Sequence, residues 1–114
     1  MTKLVILLCL SVFAVAVEAI RPGGLSDVMQ PNEEVNRIVA DLKGEIEAQL
    51  GEKLNTYKVV SFKRQVVAGT NYFIKIEYGL KYVHIRVSKS LGGRVTLASV
   101  ESGHKLHDLI KYFE

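Results

Sequence analysis

One change of period constrains the fold more than any other feature of this chain. Val35, Ile38, Val39, Leu42, Ile46 and Leu50 recur every three or four positions, the spacing of one helix face. Asn32 stands ahead of them as an N-cap, Glu33 and Glu34 complement the helix dipole, and Gly51 supplies a stop. Gly44 is a local weakness inside this helix. From Tyr57 onward the period is two. Tyr72, Ile74, Ile76 and Tyr78 fall on one face of an extended segment, with Phe73, Lys75 and Glu77 on the other. Residues 81–88 repeat the pattern, Val83, Ile85 and Val87 inward and His84, Arg86 and Ser88 outward. Residues 57–65 and 94–100 read as further strands, and residues 106–113 are expected to add a last one. A helix followed only by strands predicts an α+β fold: one long helix packed on an antiparallel sheet of four or five strands. The helix stripe covers one sheet face, and water meets the other.

The first 19 residues follow a different logic. Lys3 opens a short charged start, residues 4–17 are apolar except for Ser11, and Val17-Glu18-Ala19 ends the stretch in a small-x-small pattern. These are the three regions of a secretory signal peptide. An apolar run of about 14 residues is too short for a transmembrane anchor, which needs roughly 20. The expected organisation is therefore a signal peptide over 1–19 and a single domain over 20–114. Cys9, the only cysteine, leaves with the leader. The remaining domain has no disulfide, thiol nucleophile or thiolate ligand, and must be held by its own core. The net charge of +3 in 114 residues is spread along the chain and does not point to nucleic acid. No N-glycosylation sequon is present.

The connections carry the functional hint. In a meander, alternate turns lie at the same end of the sheet, so those near residues 66–69 and 90–93 share an end, opposite the turn at Gly79-Leu80. The first contains Gln65-Val66-Val67-Ala68-Gly69. Hairpin tips favour Gly, Asn, Asp and Pro, and valine is poorly suited to positive φ. Two readings follow. Val66 and Val67 continue the strand into the core and the turn is Ala68-Gly69-Thr70-Asn71, or the valines form an apolar wedge that enters a partner's groove. Residues 20–31, with two Pro, two Gly and no periodicity, read as an extended, mobile trunk.

Gln65-Val66-Val67-Ala68-Gly69 resembles the signature of the cystatin superfamily of cysteine-protease inhibitors, and its continuation Thr70-Asn71-Tyr72-Phe73 resembles the stefin branch. Arg21-Pro22-Gly23-Gly24-Leu25-Ser26 is similar to a stefin trunk, Lys89-Ser90-Leu91 to the lead into a second hairpin, and His107-Asp108-Leu109 with Tyr112-Phe113 to a stefin C-terminus. The resemblance spans residues 20–114. It implies a three-part wedge that enters the active-site cleft of papain-like cysteine proteases, papain and cathepsins among them. The trunk would contribute Arg21, Pro22, Gly23 and Gly24, with Gly23 passing closest to the catalytic centre. Gln65, Val66, Val67, Ala68 and Gly69 would form the central contact, and Leu91 and Gly92 the third. Two departures stand out. Leu91-Gly92-Gly93 replaces the usual Leu-Pro, and a leader precedes a body that stefins keep in the cytosol. Together they imply a stefin-like inhibitor exported from the cell, with a vesicular or lysosomal pool. It would be a monomer, with a domain-swapped dimer as the alternative assembly. The rival reading is a cystatin-fold binding module without inhibitory activity.

The other candidates read plainly. His104-x-x-His107 with Asp108 has helical spacing for a metal site, but no third or fourth ligand is evident in the sequence, so no metal is expected. His84 is expected to be solvated. Lys58, Lys63, Arg64, Lys81, Arg86 and Lys89 read as a solvated sheet face rather than a nucleic-acid platform. Gly92-Gly93-Arg94 lacks the lysine and hydroxyl of a phosphate loop. No catalytic arrangement, cofactor motif or membrane segment beyond the leader is found, and the chain is read as no enzyme.

Overall fold

The computed structural model describes residues 24–114. Residues 1–23, which include the leader, Arg21, Pro22 and Gly23, lie outside the described residues. Helix α1 runs over Glu33–Leu50. It begins where the sequence places its cap: the extended Asn32 accepts the Val35 N–H through Oδ1 at 2.8 Å. It ends at Gly51, whose φ of 77° admits a left-handed turn and lets its N–H donate to the Glu47 carbonyl. Four strands follow: β1 (Tyr57–Val67), β2 (Gly69–Tyr78), β3 (Lys81–Lys89) and β4 (Val95–His104). They form one antiparallel meander in the order β1-β2-β3-β4.

The core is the seam between α1 and the sheet. Val35, Ile38, Val39, Leu42 and Ile46 bury against Phe62, Tyr72, Ile74, Ile76, Val83, Ile85, Val87 and Leu97. A bulge in β1 brings Phe62 to this side. Val59 pairs with Ile76 and Phe62 with Ile74, so Val60 is the extra residue that puts side chains three apart on one face. Strict alternation fails there for that reason. Leu54 fills the helix-to-strand connection, and its N–H donates to Glu47 Oε2 at 2.7 Å.

Four expectations need correction. Residues 105–114 form no strand. Instead the tail crosses the outer face of the sheet, where the carbonyls of Leu106 and Asp108 accept from Lys75 Nζ at 2.8 and 2.6 Å. Phe73 packs against Tyr112 and Phe113 with ring centroids 5.6 and 5.7 Å apart. The outer face is therefore covered in its middle rather than wet, and Phe73, Lys75 and His84 are buried there. Nor do the six basic residues share a face. Register puts Lys58 opposite Glu77 on the outer side and Arg64 opposite Tyr72 on the helix side, while Lys81 and Lys89 pair with Glu52 and Glu34. The trunk is also more fixed than its composition suggests. Ser26 N–H donates to the Arg64 carbonyl at 2.8 Å, and Met29 forms an antiparallel bridge with Phe62.

Candidate functional site

The β1–β2 and β3–β4 connections lie at one end of the sheet, as the meander requires, with Gly79 and Leu80 at the other. At the first tip the ladder continues through Val66↔Thr70 to Val67↔Gly69, leaving only Ala68 as the turn. Each of the two readings of this tip is half right. The valines do continue the strand, yet they are not core: Val66 is 68% exposed and Val67 37%. Two apolar side chains are thus held in water by pairing with β2.

What holds them lies just behind. Gln65 and Asn71 face each other across the hairpin, both buried, and Asn71 Nδ2 donates to Gln65 Oε1 at 2.8 Å. Gly69 locks the tip against the third strand. Its φ is 108°, and a Cβ there would overlap the Lys89 carbonyl oxygen and stand 3.3 Å from Ser90 Cα. The two hairpins therefore touch through backbone, with no side chain between them.

The second tip is tied by short local bonds. Ser90 N–H donates to the Arg94 carbonyl and Gly93 N–H to the Ser90 carbonyl, each at 2.9 Å, while Ser90 Oγ accepts the Arg94 N–H. These bonds order a loop that has glycine at Gly92 where proline was expected. Leu91 projects from it, 85% exposed. The trunk runs antiparallel to β1, and Ser26 lies nearer the hairpin end than Met29, so it heads toward the same end. Gly24 is exposed in that segment. Arg21, Pro22 and Gly23 fall outside the described residues.

Helix α1 braces this end from behind. Tyr72 Oη and Lys89 Nζ both donate to the carboxylate of Glu34, in the first turn of the helix. These two hydrogen bonds, that from Tyr72 foremost, hold Glu34 below the usual glutamate range. Burial, reinforced by Glu34, raises the Tyr72 phenol to about 12.

Residues 23–98 match the cystatin domain family. The chain belongs to the cystatin family. Cystatin-A2 of Dictyostelium discoideum is 40% identical over 91 residues, covering 80% of this chain and 96% of that protein. Cystatin-B of Mus musculus is 37% identical over 95 residues, covering 80% and 97%. Cystatin-A of Homo sapiens is 43% identical over 74 residues, covering 64% and 76%. Membership supports a role as a cysteine-protease inhibitor and not as an enzyme. Among the described residues of this cystatin, no helix is long and apolar enough to cross a membrane.

The outer face carries the chemistry that sequence reading missed. His84 is only 1% exposed, stacked on His104 with ring centroids 3.6 Å apart and planes 10° off parallel. Burial, followed by the neighbouring His104 and Lys75, pushes the His84 imidazole down to about 4. The available signal was Phe73: an aromatic residue on a supposedly solvated face implies a cover, and the apolar tail residues Ile110, Tyr112 and Phe113 were there to supply it.

Proposed function

We propose that this cystatin is a reversible, tight-binding inhibitor of papain-like cysteine proteases of the cathepsin L, B and S type. It works by filling the active-site cleft rather than by chemistry. The observation that carries the reading is the pair of exposed apolar tips, Val66-Val67 and Leu91, fixed side by side by the backbone contact at Gly69. A protease cleft accepts such an edge at low ordering cost, because strand pairing has already removed the loop's freedom. Protease–inhibitor interfaces of about 800 Å² per partner reach nanomolar affinity or tighter. Gln65, Val66, Val67, Ala68 and Gly69 form the central contact, and Leu91 and Gly92 the third. Arg21, Pro22, Gly23 and Gly24 lie along the substrate subsites, with Gly23 nearest the catalytic centre because a side chain there would obstruct the approach. The protein acts as a monomer.

Residues 1–19 direct its export, with a vesicular or lysosomal pool. Support comes from the three-region pattern of residues 1–19; the matched segment covers nearly all of Cystatin-A2 and Cystatin-B but only four fifths of this chain.

The test is titration of papain and a cathepsin L-type enzyme with the purified protein, following residual activity. Inhibition near one-to-one stoichiometry is expected, with a large loss in Val67→Asp, which sets a charge in the apolar contact. Val67→Asp protein that is folded and inhibits like its parent would refute the assignment of the tip.

A further inference from the structure

The outer face of the sheet brings together three groups of metal-ligating type that the sequence leaves apart. His84 and Glu101 are register partners on β3 and β4, and His104 ends β4. A bulge between the Tyr82↔His104 and His84↔Glu101 pairs brings His104 back over His84. One ligand atom from each residue lies within 4.8 Å of the others. His84 is buried, and its Nε2 has no hydrogen-bond partner. A buried imidazole nitrogen left without a partner is costly and rare, which marks it as a ligand position.

We infer that His84, Glu101 and His104 form a site for a divalent borderline transition metal, with Zn²⁺ as its representative. Two imidazole nitrogens and one carboxylate oxygen make a three-ligand set that leaves a fourth position for water. Asp108 completes the arrangement from the tail. Its Oδ2 lies 2.9 Å from His104 Nδ1, which leaves Nε2 facing Glu101 Oε1 at 2.6 Å. A carboxylate on the far nitrogen is what orients a metal-binding histidine and raises its basicity. Asp108 is itself fixed, since its carboxylate also accepts the Lys105 N–H at 3.0 Å.

Metal uptake requires two local changes. His104 Nε2 exchanges its contact with Glu101 for a bond to the metal, giving up any proton it carries. The stacked rings tilt until their in-plane lone pairs converge on one point, about 2.0–2.1 Å from each nitrogen. Glu101 is exposed and provides the way in. The charge balance favours a cation. Lys75 opposes it, but Glu101 and Asp108 outnumber it, and the Lys75 ammonium is occupied by the carbonyls of Leu106 and Asp108. His107, the partner that sequence spacing offered to His104, is outside the group and exposed.

Calorimetric titration of the protein with zinc chloride tests the site, with magnesium chloride as the hard-cation control. One Zn²⁺ per chain is expected, with NMR shifts at the imidazoles of His84 and His104 and none at His107. Asp108→Asn should weaken binding about 10- to 100-fold, as loss of an orienting carboxylate does. His84→Gln and His104→Gln should weaken it further, and His107→Gln should leave it unchanged. Glu101→Gln, at an exposed position, keeps the test decisive if a buried histidine variant fails to fold. Absence of zinc binding would overturn the inference. So would affinity that survives Glu101→Gln and His104→Gln, or that is lost in His107→Gln. The site lies away from the hairpin tips, so neither result bears on protease inhibition.

Discussion

Gly69→Ala tests the mechanical link between the two hairpins. The substitution adds one methyl group at a backbone φ of 108°, where an L-residue is strained by about 1–3 kcal/mol. The methyl also overlaps the Lys89 carbonyl oxygen and crowds Ser90 Cα at 3.3 Å. Both obstacles are backbone and cannot rotate away. Forcing an extra methyl into such a place costs a further ~1–3 kcal/mol. Reduced freedom in the unfolded chain returns only about 0.4–1 kcal/mol. The net loss is about 1–5 kcal/mol, a large part of the roughly 5–15 kcal/mol of a typical domain.

Urea unfolding followed by circular dichroism measures the loss, and papain titration on the same samples measures inhibition. Both should fall, because the chain can escape the overlap only by moving the first tip off the second. Gly44→Ala is the control. Gly44 sits in the helix with nothing near its added methyl, so the variant should gain about 0.5–1 kcal/mol and inhibit normally. A Gly69→Ala protein within ~0.5 kcal/mol of its parent and equally inhibitory would refute the argument, since that is the scatter of neutral surface changes.

The Tyr72–Glu34 bond gives an alkaline signature. The folded Tyr72 phenol is raised from 10.0 to about 12, so its contribution to stability is complete below pH 10 and is lost as pH rises through 12. Tyr78 is raised to about 12 in the same way by burial and Glu52, so Tyr72→Phe should flatten only part of the stability decline seen in chemical unfolding at pH 9–12. For export, N-terminal sequencing of protein recovered from the medium of expressing eukaryotic cells should begin at Ile20. A retained Met1 in the recovered or the cell-associated protein would refute the leader assignment.

The fold was legible wherever one physical rule acted alone. The helix stripe, its Asn32 cap and its Gly51 stop are local, and each stands where the sequence puts it. Strand faces were legible from Tyr72 to Tyr78 because no bulge interrupts them. Legibility ended where a distant segment intervened. Val60 breaks the alternation through a register shift that only the partner strand defines. The tail was misread as a strand because Leu109, Ile110, Tyr112 and Phe113 look like strand residues, while Lys75, 31 and 33 residues back, claims its carbonyls. His84 was misread for the same reason, its burial being decided by that cover. The hairpin tip was undecided from composition because strand pairing and exposure are not alternatives there.

The two faces of the sheet are thus used differently, and register explains how they stay independent. The outer row Ser61, Lys75, His84 and Glu101 crosses the sheet three residues from the Gly79-Leu80 turn, whereas Gly69 and Ser90 lie at the opposite end. Between them runs the row of Lys63, Phe73, Arg86 and Ser99, capped by Tyr112 over the Arg86 guanidinium at 5.8 Å. Strain or charge introduced at one end must pass through this packed row and through α1, which is tied to the sheet at Glu34 on the hairpin side and, just past its C-terminus, through Glu52 on the other. Among the described residues, the hairpin end contains no buried titratable group except Tyr72, whose phenol stays neutral well above physiological pH. An edge built this way keeps its shape across the pH range in which proteases work, because its order comes from backbone pairing, the Gln65–Asn71 amide bond and a glycine contact. The stacked His84 and His104 sit at the other end, where a change in them reaches the tail first.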